Sequence, residues 1–232
     1  SYPPRAVMLD YIQGRLKKSN FRDKIKFRNP VRDVIYNQDK NNFSVTAHNL
    51  DDDTKETEEF DYVICATGHF SSFYVPSFQG WAYVGGRVMH SHDFRDALEF
   101  KDKDILIVGT SYSAEDISSQ CWKYGSKSIT ISYRTNPTGF HWPENFSQVP
   151  LIKHIEEGNI VHFIDGSSKK IDAIVLCTGY LHHFPFLPDE LKLKTNNCLW
   201  PLGLYKGIFW TKNPKMMYLG MQDQFYTFNM FD

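Results

Sequence analysis

The chain has 232 residues and nearly balanced charge, 26 Lys and Arg against 27 Asp and Glu, for a formal net of -1. That balance excludes the broad basic surface through which proteins bind nucleic acids or anionic membranes. A hydrophobic content of 41% excludes a disordered chain, and the one unusual figure is 16% aromatic residues.

Taken in chain order, residues 5–17 predict an amphipathic helix, because Met8, Ile12 and Leu16 repeat every four positions. Residues 24–36 predict extended chain interrupted at Asn29-Pro30, and residues 43–47 a second short strand. A polar turn at Asn49 to Asp53 follows. Residues 60–69 form an apolar run closing on Thr67-Gly68-His69, which reads as a buried strand that stops abruptly. Residues 71–86 are rich in Gly, Pro and Ser and read as a connection. The run Ile105 to Val108 predicts a strand covered on both faces, residues 113–122 a helix, and residues 128–133 the next strand. Further strands are expected at 160–164, 171–178 and 217–219. The ending Cys177-Thr178-Gly179 echoes Cys65-Ala66-Thr67-Gly68. Strand, helix and strand alternating after Lys103 argue an α/β, doubly wound unit.

No apolar run is long enough to span a bilayer, and no secretion signal opens the chain. Cys65, Cys121, Cys177 and Cys198 are scattered, which excludes a CxxC redox or zinc pair and predicts reduced thiols in a cytoplasmic protein. The histidines fall in no metal-binding spacing. His182-His183 and His90-x-His92 are the closest groupings, and no metal site is expected.

The strongest local signal is Ile105 to Asp116. A dinucleotide fold needs a tight turn after its first strand, close approach of backbone to pyrophosphate, and a helix N-terminus aimed at the phosphates. Gly109 supplies the turn, Ser111 stands at the second glycine position, and Ala114 at the third, where a small residue lets helix and strand pack closely. The fingerprint is therefore GxSxxA, a degenerate form, and a plain strand–turn–helix competes with it. The following strand runs into Arg134-Thr135. A cation beside a hydroxyl suits a 2′-phosphate and favours NADP over NAD, against the alternative of a solvated surface Arg.

Gly86, His90 and Phe94 match a stretch of the form FxGxxxHxxx(F/Y), with Val84 in place of the leading aromatic residue. In this the chain resembles the flavin-containing monooxygenases. Phe94, where Baeyer–Villiger enzymes have Trp, argues against that branch. The resemblance runs collinearly through SYPPR, FDYVICATGHFS, HDFRDALEFKDK, SYSAEDISSQC, YRTNP, WPEN, DAIVLCTGYLHHFPFL, LWPL, LYKG and GMQDQFYTFNMFD. It implies a flavoprotein with two dinucleotide-binding domains. An NADP-binding Rossmann-like domain over 80–180 is inserted in an FAD domain, with 1–79 and 181–232 as incomplete parts of the latter.

The resemblance also implies FAD and NADP(H) as cofactors, with O₂ and a small tertiary amine as substrates, trimethylamine being expected. Reduced flavin would trap O₂ as a hydroperoxide, from which the amine takes oxygen to give an N-oxide. By position, Gly109, Ser111, Tyr112, Ser113, Ala114, Arg134 and Thr135 would bind NADP. Val31, Gln222, Asp223 and Thr227 would hold FAD, and Tyr112, Asp223 and Phe225 would stand at the reaction centre, with Tyr226 beside them. Phe225 replaces a Trp of related members, keeping an aromatic surface but losing an N–H donor. His90 would tie the domain link together. A homodimer is implied, with no nucleic acid and no membrane as partner. Residues 1–60 lack a GxGxxG turn for FAD. The expectation is thus the middle of a longer enzyme, inactive alone and without stoichiometric FAD. A binding-only NADP unit and another flavoprotein oxidoreductase of the same layout are the alternatives, the disulfide reductases being opposed by the missing CxxC.

Overall fold

The computed structural model describes residues 5–193 and 202–221. They form two compact units, one of residues 5–66, 184–193 and 202–219, the other of 67–183 with 220–221.

In the first unit, helix α1 (Arg5–Lys18) precedes a three-stranded antiparallel meander of β1 (Val31–Asn37), β2 (Asn42–His48) and β3 (Lys55–Phe60). The expected stripe of α1 is only half realised: Met8 and Leu16 are partly buried, and Ile12 is exposed. Residues 24–30 are not extended as expected; a 3₁₀ turn occupies Arg22–Lys24 and the strand begins after Pro30. Proline has no N–H for the ladder, which moves the strand start past it. The charged strand β3 carries no apolar alternation, its six residues all being exposed, and so leaves no hydrophobic signal. Strand β4 (Val63–Cys65) is the short core of the expected 60–69 run.

The second unit begins with β5 (Ser72–Phe73), followed by a 3₁₀ turn at Trp81–Tyr83 and strands β6 (Arg87–His90) and β7 (Asp104–Val108). Helix α2 (Tyr112–Lys123), β8 (Ser128–Ser132) and β9 (Phe146–Val149) come next. Then follow β10 (Ile152–Glu156), β11 (Ile160–Phe163), β12 (Ser168–Lys170), β13 (Ala173–Leu176) and β14 (Tyr180–Leu181). The first unit closes with β15 (Leu204–Tyr205), β16 (Phe209–Trp210) and β17 (Met216–Tyr218), which join β4 in one sheet.

The centre of the second unit is a five-stranded sheet of order β6-β13-β7-β8-β9, parallel throughout. Side chains alternate across a strand, and two cores result. Ile105, Ile107, Ile129, Ile131, Ala173 and Val175 face α2 through Ala114, Ile117 and Cys121. Leu106, Val108, Ile174 and Leu176 face the other way, onto Ile152, Ile155, Val161 and Phe163. That second face is covered by the antiparallel meander β10-β11-β12 instead of a helix. Both faces are thus closed, as an all-parallel sheet requires.

The bounds of this unit differ from the expected 80 and 180. Tyr180 pairs with Phe73, and the Tyr74 N–H donates to the Gly179 carbonyl at 2.9 Å. Those bonds draw residues 67–79 and 181–183 into the unit. No described helix is long and apolar enough to cross a membrane.

Candidate functional site

Strand β7 neighbours β8 on one side and β13 on the other: the chain runs from β7 through β8 to β9 in one direction and then returns to β13 on the opposite side, so the strand order reverses at β7. Such a point opens a crevice at the carboxyl ends of the strands. A cavity of about 530 Å³ lies there, floored by Val108, Gly109, Cys177 and Thr178.

Gly109 is required by two features. Its φ of +122° is a conformation side chains avoid, and a Cβ would overlap the Cys177 carbonyl. Its N–H donates to the Ser132 carbonyl at 2.9 Å, which fixes the turn to β8. Ser111, by contrast, has φ of -90°, open to any residue, so no glycine is needed at the second fingerprint position. Ser111 is the N-cap of α2 but makes no side-chain cap bond. The first turn of a helix leaves N–H groups without intrahelical partners and carries partial positive charge. Ser111, Tyr112 and Ser113 bring that turn to the cavity. Ala114 is buried on the sheet side of α2, where a larger side chain would separate helix from strand.

Arg134 follows β8 and also lines the cavity; among the described residues it is the only formally charged one that does so. It is exposed and forms no ion pair among the described residues. Thr135 is exposed beside it and does not line the cavity. The opposite wall is apolar and aromatic: Phe70, Tyr74, Pro76 and Phe78, with Tyr180. The 71–86 connection therefore supplies wall residues that the sequence reading missed. The aromatic density there, Phe73, Tyr74 and Phe78 with Phe70 just before, is the signal that marks it. The cavity thus offers a glycine turn, a helix N-terminus and one guanidinium to an anion, and a flat apolar wall to a ring. These residues fit a dinucleotide phosphate.

Gly86, His90 and Phe94 do not line the cavity. A Cβ on Gly86 would overlap the Asp172 carbonyl, which explains the glycine. His90 Nε2 donates to the Gly179 carbonyl at 3.1 Å, while Nδ1 accepts from the His92 N–H at 3.1 Å. Phe73 stacks on its ring with centroids 5.0 Å apart. Burial pushes the His90 imidazole below its ordinary pKa and holds it neutral. Phe94 packs into the α2-side core, stacked on Phe100. All three residues have structural roles.

Val31 stands at the start of β1 in the first unit, bulged against β2. Gln222, Asp223, Phe225, Tyr226 and Thr227, and Cys198 among the thiols, lie outside the described residues. The other three thiols are buried and free, and burial pushes each up to about 12. Such thiols stay protonated at neutral pH and are poor nucleophiles.

The fold is that of the pyridine-nucleotide oxidoreductases. The sequence model of the family described as "Pyridine nucleotide-disulphide oxidoreductase" matches residues 1–149, and the chain belongs to that family. Among relatives, the trimethylamine monooxygenase of Roseovarius sp. (strain 217) is 60% identical over all of this chain and 52% of its own length. That of Methylocella silvestris is 58% identical over all of this chain and 51% of its own. The crystal structure of Tmm from Pelagibacter sp. strain HTCC7211 superposes with a TM-score of 0.93 at 50% identity, covering 100% of this chain and 52% of that one. The chain spans about half the length of the curated relatives it matches.

Proposed function

We propose that this chain carries the NADPH-binding part of a flavin-dependent monooxygenase that converts small tertiary amines, trimethylamine foremost, to N-oxides. The balanced reaction is amine + O₂ + NADPH + H⁺ giving N-oxide + NADP⁺ + water. The observation that carries the reading is the meeting of Gly109, the α2 N-terminus and Arg134 in one cavity at the sheet's switch point. The 50–60% identity to proteins named for trimethylamine supports the substrate class.

In this reading, residues 67–183 are the NADP domain and the other segments belong to the FAD domain. Backbone N–H groups at Ser111, Tyr112 and Ser113 hold the pyrophosphate, with Gly109 keeping the turn out of its way and Ala114 seating the helix. Arg134 pairs with the 2′-phosphate, and Thr135 donates a hydroxyl to it. Tyr112 and the Phe70–Tyr74 wall orient the rings and keep water from them. Val31, Gln222, Asp223 and Thr227 hold the flavin, and Phe225 and Tyr226 wall the amine, where an aromatic face also attracts a cationic form. When bound, the nucleotide supplies hydride and the flavin supplies oxygen activation. The protein needs no general base for that chemistry. Disulfide exchange, which the family description also names, finds no support in Cys65, Cys121 and Cys177, buried and protonated as they are.

Arg134→Ala is expected to weaken NADPH by about tenfold or more, the worth of a lost charge-assisted hydrogen bond. NADH, lacking the 2′-phosphate, is expected to change little. Titrations of both nucleotides check this, and equal weakening would overturn the 2′-phosphate assignment. The full-length protein is expected to oxidise NADPH faster with trimethylamine present. NADPH binding without amine-stimulated turnover would favour the binding-only reading.

A further inference from the structure

The cavity leaves unused a cluster on the β10–β11 hairpin. His154 and Glu156 stand two apart on β10 and so project from one face. His162 on β11 is the register partner of His154. His154 Nε2 hydrogen-bonds Glu156 Oε1 at 3.1 Å. His162 Nε2 lies 3.1 Å from Glu156 Oε2, yet is sealed from solvent and makes no hydrogen bond. The two imidazoles stack in parallel, centroids 4.5 Å apart and planes within 4°. One donor atom from each of the three residues lies within 4.8 Å of the others.

We propose that His154, Glu156 and His162 form a site for one borderline divalent cation of the Zn²⁺ class, separate from the nucleotide cavity. Three arguments carry it. The two nitrogens and one carboxylate are the donor set that Zn²⁺ takes, whereas Ca²⁺ and Mg²⁺ demand oxygen alone. Zn–N and Zn–O bonds of about 2.0–2.2 Å place neighbouring ligands roughly 3.3–3.5 Å apart around a tetrahedron, and each imidazole lies 3.1 Å from one of the two Glu156 oxygens, with one donor atom of each residue within 4.8 Å of the others. The buried His162 nitrogen meets the Glu156 carboxylate in a contact that misses hydrogen-bond geometry, and a cation between them would give both a better-aimed partner. The imidazoles are half-buried while Glu156 is 55% exposed, which leaves the fourth position open to water.

The site would also brace the nucleotide cavity's wall from behind. The Ile155 N–H donates to the Gln79 carbonyl at 2.9 Å, and Gly80 packs so closely that a Cβ would overlap the Ile155 carbonyl. Gln79 follows directly on Phe78, a wall residue. Fixing the hairpin therefore fixes that segment.

The test is zinc chloride titrated into the full chain, followed by equilibrium dialysis and thermal melting. One Zn²⁺ per chain and a rise in Tm are expected. His162→Gln and Glu156→Gln should each weaken binding by more than the tenfold that even an outer-shell loss costs, and abolish the rise in Tm. Glu156 is exposed, so its variant keeps the test open if the His162 variant fails to fold. Absence of zinc binding by the unaltered chain at micromolar concentrations, or unchanged affinity in Glu156→Gln, would overturn the proposal. A cluster serving only as hydrogen-bonded structure gives a Tm that zinc leaves unmoved.

Discussion

Gly86 and Gly109 are glycines for different reasons. At Gly109 both the backbone conformation and the Cys177 carbonyl forbid a side chain; at Gly86 only the Asp172 carbonyl does. Gly86→Ala is therefore expected to destabilise by about 1–3 kcal/mol, the range for overpacking a tight site. Urea unfolding measures it, and an unchanged midpoint would refute the steric account. The sequence pattern picked out both glycines, but could not separate a turn that faces a cavity from a contact between backbones. It also demanded too much at Ser111, where an ordinary φ makes glycine unnecessary. His90 was singled out by the same pattern, and its two hydrogen bonds, to Gly179 and His92, tie segments within the second unit.

At the scale of elements, α2 buries Ala114, Ile117, Ser118 and Cys121, the spacing of one helical face. Ser118 is the discordant member: its hydroxyl is buried and has no hydrogen-bond partner among the described residues. Ser118→Ala should raise stability by about 1 kcal/mol by removing an unsatisfied polar group. A lower denaturation midpoint would show that the hydroxyl is bonded after all. Elements with continuous apolar runs, β7 and β13, were legible because both their faces are covered. Strand β3 was not, being charged and exposed along its length and held by pairing with β2 and by ion pairs with Lys26 and Lys40. The β10–β11 hairpin was only half seen, through its second strand. Its His-Glu-His cluster escaped because the ligands meet across strands, and no spacing along the chain announces such a meeting.

For the whole molecule, pH dependence follows from histidines that folding holds neutral. Burial lowers the pKa of His90 and of His182 below the usual value of about 6.5. The unfolded chain then binds more protons than the folded one, so the stability these groups contribute is complete above pH 6.5 and falls as pH drops through their folded values. Melting temperature is expected to decline on that acidic limb, and His90→Gln, which keeps a donor and an acceptor, should flatten it. An identical slope in the variant would remove His90 from the account. Buried thiols act on the alkaline side: each is pushed up to about 12, so the stability they contribute is complete below the free thiol value of about 8.5 and is lost as pH rises from there toward the folded value.

The strand order has a consequence for how the chain reaches this state. Strand β13 lies between β6 and β7, yet it is the last of the five to be synthesised. Until Ala173–Leu176 arrives, the N–H and C=O groups of β6 and β7 that will face it have no partners, and the apolar sides of β7 lack a neighbour. Pairing over so long a stretch of sequence is slow, because loop closure must precede any gain. The nascent sheet thus waits half open with two sticky edges. Its hazard is association with other chains during synthesis, a hazard that ends when one four-residue strand slots into the gap.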